Sequence, residues 1–196
     1  MQIVKITKKT IDEAVAILKR GGAVVYPTET AYALGCDFTN QEAIAKIFKI
    51  KNRPKEKALP VICQTKKQVE QFFILPPFGW KLWLKYWPKP ISIIIKTREH
   101  KNKKTKPREI PVRISSHKVV RDLARKLDRP VISTSANISG SDTLYSAEEI
   151  AEIFADKKYQ PDLILDAGKL PKRQPSTIVK IDNNKIEVLR QGEVRI

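Results

Sequence analysis

Five basic residues alternate with other residues in the segment KIKNRPKEKALP, residues 49–60, and together they could neutralise a bound anion. They are Lys49, Lys51, Arg53, Lys55 and Lys57. In an extended chain, every second side chain points to the same side. If the segment is extended, the spacing therefore predicts a row of positive charge that faces an anion.

Three further polar stretches interrupt otherwise apolar strands. PTETAYALG, residues 27–35, supplies two threonine hydroxyls, one carboxylate and small residues that let a ligand approach the backbone. STSANISG, residues 133–140, follows an apolar strand, and Ser176 with Thr177 opens a hairpin that has Arg190 at its far end. Hydroxyl-rich turns at strand ends are common, so each stretch alone is also typical of an ordinary loop.

Arg113 lies within the apolar strand IPVRI, which is an unusual place for a charged side chain. An arginine at such a position either covers a surface or meets a buried anion, since an unpaired buried charge is costly. The strand alone leaves both interpretations open.

No residue set for nucleophilic catalysis is visible in the sequence. His100 falls in a polar basic segment and His117 at a predicted helix start, so we expect both to be exposed. Neither glycine-rich phosphate motif, G-x-G-x-x-G or G-x-x-x-x-G-K-[ST], is present. A nucleotide site would therefore use lysine, arginine and hydroxyl groups, and catalysis would act by positioning and charge neutralisation.

Composition favours an anionic partner without identifying it. The chain has 38 lysine and arginine residues against 21 aspartate and glutamate residues, a net charge of +17. Such a charge is typical of proteins that bind nucleic acid or phosphates, but also of a lysine-rich solvated surface of the thermophile kind. Cys36 and Cys63 fit no zinc or redox spacing. Because the sequence has no apolar leader and no apolar run long enough to span a membrane, we expect a cytoplasmic protein that does not bind a membrane.

Strand and helix patterns alternate along the chain, which predicts an α/β fold. We expect a single domain, residues 1–196, with one twisted mixed β-sheet and flanking helices. Capping boxes predict three helix starts, at Thr10 with Glu13, at Thr39 with Glu42, and at Ser146 with Glu149. The segments STIVKI and KIEVLR predict a hairpin near the end of the chain.

Two other segments allow more than one interpretation. Trp80, Trp83 and Trp87 lie at i, i+3 and i+7, which favours one helix face packed in the core over a ligand-stacking role. The segment REHKNKKTKPRE, residues 98–109, is basic and has no periodicity. We expect a solvated loop, although such a segment could also touch RNA or cover the site as a lid.

Six motifs, in order, resemble the YrdC/TsaC family of threonylcarbamoyl-AMP synthases in its short, single-domain form. They are PTETAYALG, KIKNRPKEKAL, YWPKPISIIIK, VRISSH, STSANISG and STIVKI with VLRQG, and they extend over residues 5–195. The pairs Lys51 with Arg53 and Ser135 with Asn137 are the most specific signature. The resemblance implies a YrdC-like fold and a nucleotidyltransferase that makes L-threonylcarbamoyl-AMP from L-threonine, bicarbonate and ATP, with release of pyrophosphate.

The resemblance also implies roles for individual residues. It assigns the catalytic signature to Lys51, Arg53, Ser135 and Asn137; ATP to Arg53, Lys57, Ser135, Thr143 and Arg190; and L-threonine to Thr30, Ile62, Arg113, Ser133 and Ser176, with Thr28 beside the carbamate. The row formed by Lys51, Arg53 and Lys57 would then meet the triphosphate. Mg²⁺ is expected on the ATP oxygens and not on protein side chains. The implied product serves threonylcarbamoyladenosine formation in tRNA, so tRNA and proteins of the TsaD/TsaB/TsaE kind are the expected partners.

Several positions depart from the family's usual pattern. Ala33, Ala58, Lys89 and Thr134 stand where the family usually has other residues, and Glu109 stands where a threonine often approaches ATP. The stretch SDTLYS replaces the family's usual Ser/Pro/Thr stretch, so the resemblance leaves the register at Thr143 open. None of these departures removes a signature basic residue. A hypothesis of a different class is a non-catalytic module of the same fold that binds tRNA or double-stranded RNA on its basic surface.

Overall fold

The computed structural model describes residues 1–98, 107–182 and 185–196, apart from the side chain of Trp83. Its strands are β1 (Gln2–Lys5), β2 (Val24–Pro27), β3 (Tyr32–Gly35), β4 (Val61–Cys63), β5 (Phe73–Ile74), β6 (Ile91–Thr97), β7 (Glu109–Ile114), β8 (Val131–Ile132), β9 (Thr134–Ser135), β10 (Leu163–Asp166), β11 (Thr177–Asp182) and β12 (Lys185–Arg190). Its helices are α1 (Lys8–Lys19), α2 (Gln41–Lys51), α3 (Lys66–Phe72), α4 (Gly79–Tyr86), α5 (Lys118–Leu127) and α6 (Ala147–Phe154). The predicted α/β class is confirmed.

The described strands form two mixed sheets, which corrects the expectation of one. The first sheet has the order β1-β10-β2-β3-β9, and the second has the order β12-β11-β6-β7-β4-β8, with β5 paired to β6. Each sheet contains parallel and antiparallel pairs, such as β1 with β10 and β2 with β3 in the first. Period-two patterning indicates that a segment is a strand, but it does not say which strand becomes its neighbour.

One short segment links the two sheets. β8 pairs with β4 in the second sheet and β9 pairs with β3 in the first, so the chain changes sheet at Ser133. The amide of Ser133 donates to the carbonyl oxygen of Pro60 at 2.8 Å, which fixes the crossing point beside the start of β4. The polar residues that follow the apolar strand β8 therefore lie where the two sheets meet.

Apolar helix faces pack against the sheets and hold this junction in place. α5 buries Val119, Val120, Leu123, Ala124 and Leu127, which recur at helical spacing and share a cluster with residues of α1. α2 and α6 bury their apolar faces in a second cluster, which contains strand residues from both sheets. Full burial of a Val, Leu or Ile side chain stabilises a fold by about 1.5–3 kcal/mol.

The starts of the first two helices differ from the prediction. The capping box of α1 is formed by Thr7 and Thr10, so this helix begins one turn earlier than expected. Asn40 caps α2, since asparagine is preferred over threonine at this position. Thr39 instead donates to the carboxylate of Asp37, from its amide at 2.7 Å and from its hydroxyl at 2.8 Å. A capping pattern shows that a helix begins nearby, but the best local acceptor decides where.

Other predicted elements are confirmed. The capping box of Ser146 with Glu149 is present at α6. β11 and β12 pair antiparallel as the predicted hairpin. The turn residues 183–184 lie outside the described residues, and so do residues 99–106 of the basic segment, including His100. Within the described ranges, no helix is both long and apolar enough to cross a membrane.

The alternating basic row does not form, because the first part of its segment is helical. α2 continues to Lys51 and ends at Asn52, which has the left-handed φ of 48° that often terminates a helix. Residues two apart on a helix point in nearly opposite directions. Lys49 accordingly lies over the ring of Tyr159, with its ammonium nitrogen 5.2 Å from the ring centroid, while Lys51 points inward.

The three tryptophans do not share one core-facing side of a helix. Trp87 is buried as predicted, but it follows α4, and its indole nitrogen donates to the carbonyl oxygen of Ile91 at 2.8 Å. Trp80 is only half-buried, and the ammonium nitrogen of Lys66 lies 3.9 Å from its ring centroid. The prediction that Trp80 packs in the core is therefore wrong. The side chain of Trp83 is not among the parts of the chain that the structure describes.

Candidate active site

A cavity of about 320 Å³ lies where the two sheets meet. Strands β3 and β9 of the first sheet and β6, β7 and β11 of the second contribute to its wall. Among the predicted site residues, the cavity is lined by Thr28, Thr30, Arg53, Arg113, Ser133, Ser135, Thr143, Ser176 and Arg190. Polar stretches that are far apart in the sequence therefore meet at one site.

Four other predicted site residues do not belong to the cavity wall. Lys51 and Asn137 are buried behind it, Ile62 is buried within β4, and Lys57 is exposed outside it. The structure therefore divides the signature in two. Arg53 and Ser135 face the cavity, whereas Lys51 and Asn137 support its wall.

The ammonium group of Lys51 joins the end of α2 to the turn after β9. It donates to the carbonyl oxygens of Ser135 and Asn137, at 2.6 and 2.7 Å, and to the side-chain oxygen of Asn137 at 2.9 Å. These three acceptors use all the donors of the ammonium group, which corrects the prediction that Lys51 belongs to a row facing the triphosphate. Burial, and to a lesser degree the charge of Arg53, lowers the pKa of Lys51 to about 7.

Asn137 extends the same network around the turn. Its side-chain oxygen also accepts from the hydroxyl of Ser135 at 2.6 Å. Its amide nitrogen donates to the carbonyl oxygens of Ser141 and Asp142, at 2.5 and 3.1 Å. The network fixes both the cavity-facing Ser135 and the segment that leads to Thr143, another wall residue.

Arg53 is half-buried and closes the turn that follows α2. Its Nε donates to the carbonyl oxygen of Lys57 at 3.3 Å, and its Nη2 donates to that of Ala58 at 3.1 Å. Burial lowers the pKa of Arg53, but an arginine remains protonated at neutral pH. Its remaining N–H groups are donors that a bound anion could use.

The PTET stretch is a turn held together by its own hydroxyl groups. The hydroxyl of Thr28 donates to the carbonyl oxygen of Ala31 at 2.7 Å, and the amides of Thr30 and Ala31 lie 3.3 Å from the same hydroxyl oxygen. The two threonine hydroxyl oxygens are 3.1 Å apart. Thr28 therefore shapes the turn, and Thr30 presents a half-buried hydroxyl to the cavity.

Arg113 meets a buried anion of its own protein. Its Nη1 forms an ion pair with the carboxylate of Glu29, and the two side chains are only 8% and 10% exposed. The hydroxyl of Ser115 donates to the other carboxylate oxygen of Glu29. Glu29 therefore holds one nitrogen of the Arg113 fork, and no other described group bonds the remaining donors. The interpretation that Arg113 meets a buried anion is therefore confirmed, and the interpretation that it covers a surface is wrong, although Arg113 also lines the cavity.

Serine hydroxyls complete the wall on both sheets. The side-chain oxygen of Ser133 is buried and has no hydrogen-bond partner among the described residues. On the second sheet, the hydroxyl oxygens of Ser92 and Ser176 are 3.5 Å apart. Arg190 donates to the carbonyl oxygen of Ser176 from Nε at 3.0 Å and from Nη2 at 2.7 Å, and to its hydroxyl at 3.0 Å. The hydroxyl of Tyr26 lies nearby, but within the described residues the buried hydroxyl of Ser133 makes no well-formed hydrogen bond, so a ligand that supplies a partner would suit it.

Several residues that line or support the cavity were not predicted from the sequence. Ser92, Tyr145 and Arg173 line the cavity, and Glu29 with Ser115 supports Arg113. Glu29 was visible as the carboxylate of the PTET stretch, but nothing in the sequence indicated its partner. Arg173 lies in the segment GKLPKRQP, whose basic residues gave no pattern that distinguishes one of them.

The described wall of the cavity is strongly positive. It contains Arg53, Arg113, Arg173 and Arg190, and none of the described residues that line it is acidic. Glu109, the acidic departure near the expected nucleotide, does not line the cavity and instead forms an ion pair with Lys180 at 2.8 Å. No group of three or more His, Cys, Asp or Glu residues in the described part of the chain could hold a metal ion. Such a wall suits a ligand that carries several negative charges.

Comparisons with known proteins agree on one family. The model of the Sua5/YciO/YrdC family, described as "Telomere recombination", matches residues 16–192. A threonylcarbamoyl-AMP synthase from Psychromonas ingrahamii is 33% identical over 162 residues, which cover 80% of this chain and 84% of that relative.

Two solved structures extend the agreement to the fold. P. abyssi Sua5 in complex with L-threonine matches with a TM-score of 0.83 and 27% identity, over 98% of this chain and 57% of that protein. E. coli YciO matches with a TM-score of 0.82 and 26% identity, over 98% of this chain and 93% of that protein. The chain thus spans little more than half the length of P. abyssi Sua5.

Proposed function

Because the chain belongs to the Sua5/YciO/YrdC family, we propose that it makes L-threonylcarbamoyl-AMP from L-threonine, bicarbonate and ATP, with release of pyrophosphate. The name of the P. ingrahamii relative supports the product, and the threonine complex of P. abyssi Sua5 supports the amino-acid substrate. The observation that carries the proposal is a cavity whose described wall combines four arginines with several hydroxyl groups and has no acidic side chain.

The reaction brings two anions together, and the wall charge suits this task. The amine of threonine attacks the carbon of bicarbonate and water is lost, which gives a carbamate. A carbamate oxygen then attacks the α-phosphorus of ATP, the bond from that phosphorus to the bridging oxygen breaks, and its electron pair leaves with pyrophosphate. Without nearby cations, the carbamate and the triphosphate would repel each other, and more strongly as water is excluded.

Threonine is expected in the part of the cavity nearest Arg113. Glu29 already holds one nitrogen of this arginine, so the rest of the guanidinium fork can pair with the substrate carboxylate. The hydroxyls of Thr30, Ser133 and Ser176 would bond the amine, the hydroxyl or the carbamate. Thr28 would act beside the carbamate by shaping the turn that presents Thr30. Ile62, which is buried in β4, would contribute packing behind this part of the wall.

ATP is expected in the part of the cavity nearest Arg53. Ser135, Thr143 and Arg190 would contact the nucleotide with it, while Lys57 would have to reach in from the exposed rim. Lys51 and Asn137 would act by holding Ser135 in place. Mg²⁺ would arrive with the substrate, bound to phosphate oxygens, since phosphates and water usually supply most Mg²⁺ ligands in nucleotide sites.

The wider biological setting is also a proposal. Threonylcarbamoyl-AMP would serve the modification of tRNA to threonylcarbamoyladenosine, with proteins of the TsaD/TsaB/TsaE kind as consumers of the product. This role would place the protein in the cytoplasm, as one domain of residues 1–196.

The test is pyrophosphate release from Mg²⁺ and ATP, measured with both L-threonine and bicarbonate and with each one omitted. We expect release only when both are present, together with threonylcarbamoyl-AMP in the products by mass spectrometry. L-serine in place of L-threonine controls for the amino acid. A folded protein that releases no pyrophosphate under any of these conditions would rule the proposal out.

The RNA-binding module remains the second candidate because of the net charge of +17. RNA binding by a basic surface weakens steeply as salt is added, since counterions are released on binding. The synthase proposal instead expects turnover to depend on single residues such as Arg53 and Arg113. A tRNA titration at several salt concentrations, with the same preparation used for turnover, therefore separates the two functions.

A further inference from the structure

Three of the four arginines in the described cavity wall are held by fixed acceptors within the protein. Arg53 donates to two carbonyl oxygens, Arg113 pairs with the buried Glu29, and Arg190 donates to Ser176. These bonds position three guanidinium groups before any substrate is present. The fourth, Arg173, is held differently.

The side chain of Arg173 has only a loose partner among the described residues. Its Nη1 lies 3.7 Å from the carboxylate of Glu193, which is longer than a hydrogen bond. The two side chains are 51% and 37% exposed. An exposed ion pair of this kind stabilises a protein by only about 0–1 kcal/mol. A ligand with a denser negative charge can therefore displace Glu193 with little loss.

The segment that precedes Arg173 is bonded to the cavity wall. The carbonyl oxygen of Tyr145 accepts from the amide of Leu170 at 2.8 Å, and the hydroxyl oxygen of Tyr145 lies 3.5 Å from the carbonyl oxygen of Arg173. At the start of the same segment, the hydroxyl of Tyr32 donates to the carbonyl oxygen of Gly168 at 2.8 Å. Both tyrosines line the cavity. The segment thus keeps Arg173 at the site while its guanidinium group is available to a ligand.

We propose that Arg173 binds the terminal phosphates of ATP and the pyrophosphate that leaves, with Glu193 as its counter-ion in the empty enzyme. The proposal rests on the proposed synthase function and adds a specificity residue to it. A triphosphate carries most of its charge on the β- and γ-phosphates, and Arg113 is already partly neutralised by Glu29. Mg²⁺ would offset part of that charge. Among the four described wall arginines, Arg173 is the one whose guanidinium group makes no hydrogen bond to another described residue, so all its N–H groups can turn to the phosphate oxygens.

The test compares nucleotides that differ in their terminal phosphates. Affinities for ATP, AMP and pyrophosphate are measured by calorimetry for the wild type, Arg173→Ala and the control Lys172→Ala. Lys172 is the exposed neighbour and does not line the cavity. In Arg173→Ala, the loss of a charge-assisted hydrogen-bonding partner should lower the affinity for ATP and for pyrophosphate by about 10- to 100-fold. The affinity for AMP should change by less than about 2-fold. The control should bind all three like the wild type.

A second variant tests the counter-ion. Glu193→Gln removes the charge that competes with the phosphates, so this variant should bind ATP about 2- to 5-fold more tightly. Weaker ATP binding by this variant, or equal losses of ATP and AMP affinity in Arg173→Ala, would overturn the inference. So would unchanged ATP affinity in Arg173→Ala, and the synthase proposal would then still stand. A folded wild type that binds neither ATP nor L-threonine would instead remove the synthase proposal itself.

Discussion

Lys51 donates two hydrogen bonds to Asn137, one to its carbonyl oxygen at 2.7 Å and one to its side-chain oxygen at 2.9 Å. Lys51 is 1% exposed, and Asn137 is also buried. These bonds tie the end of α2 to the turn that carries the cavity-facing Ser135. In each of the two signature pairs, one residue thus faces the cavity, Arg53 or Ser135, and the other, Lys51 or Asn137, supports the wall behind it.

Replacement of Lys51 by methionine should weaken both the fold and nucleotide binding. The variant keeps the approximate shape of the side chain but removes the donor to the carbonyl oxygens of Ser135 and Asn137 and one of the two donors to the side-chain oxygen of Asn137. A buried acceptor that loses its partner costs about 1–3 kcal/mol. We expect the free energy of unfolding to fall by at least about 2 kcal/mol and ATP affinity to fall with it. Urea unfolding and calorimetry measure the two effects. Lys55→Met, at an exposed position in the same segment, is the control and should change neither.

The stability of the protein should depend on pH through the same lysine. The pKa of Lys51 falls from 10.5 to about 7 on folding, so between these values the unfolded chain binds more protons at this residue. The contribution of Lys51 to the free energy of unfolding therefore rises with pH from about 7 and has no slope below it. The rise is at most about 1.4 kcal/mol per pH unit.

Urea unfolding of the wild type and of Lys51→Met between pH 6 and pH 9 isolates this contribution. The difference in the free energy of unfolding should be constant below about pH 7 and should grow in favour of the wild type above it. Parallel curves across the whole range would contradict the prediction.

Sequence patterns predicted the elements of the fold well and its sheet arrangement poorly. The α5 helix, the β11–β12 hairpin and the capping box at Ser146 follow from local spacing and local side-chain acceptors, which the sequence contains in full. The division into two sheets depends on which distant strands pair. The change of sheet at Ser133 is a product of that pairing, so no local pattern indicates it.

The sequence also predicted some features of the candidate site and missed others. The polar stretches at Thr30, Ser135 and Ser176 were visible because they interrupt apolar strands, and the structure brings them to one cavity. The prediction of a basic row is wrong because the helix continues through Lys51, and in a helix alternate side chains point in nearly opposite directions. The partnership of Glu29 with Arg113 joins residues 84 positions apart, and only the folded chain reveals it.

Glu29 and Arg113 should show strong energetic coupling, because the pair is buried and each side chain would otherwise be an unpaired charge. Removing one partner of a buried ion pair typically costs about 3–5 kcal/mol. We therefore expect Glu29→Gln and Arg113→Met each to lower stability, and the double variant to lose about 1–3 kcal/mol less than the sum. Arg113→Met should also raise the threonine concentration for half-maximal turnover by at least about 10-fold.

The matched control for this cycle is the pair of Lys180 with Glu109, which is exposed at 2.8 Å. Its coupling energy should stay below about 1 kcal/mol, because water screens it. Urea unfolding of the four proteins in each cycle supplies the comparison. Equal coupling in the two pairs would show that Glu29 does not hold Arg113.

Two buried serines should respond in opposite ways to the same change. Ser133 has a buried hydroxyl oxygen with no described partner, so Ser133→Ala should leave the free energy of unfolding unchanged or raise it by up to about 1 kcal/mol. The same variant should weaken threonine binding by about 5- to 20-fold, because the hydroxyl is expected to bond the substrate. Ser115 donates to the buried carboxylate of Glu29, so Ser115→Ala should lower stability by about 1–3 kcal/mol. Urea unfolding measures the stability of both variants, and calorimetry measures their affinity for threonine. A Ser133→Ala variant that is less stable but binds threonine normally would show that Ser133 stabilises the fold and does not contact the substrate.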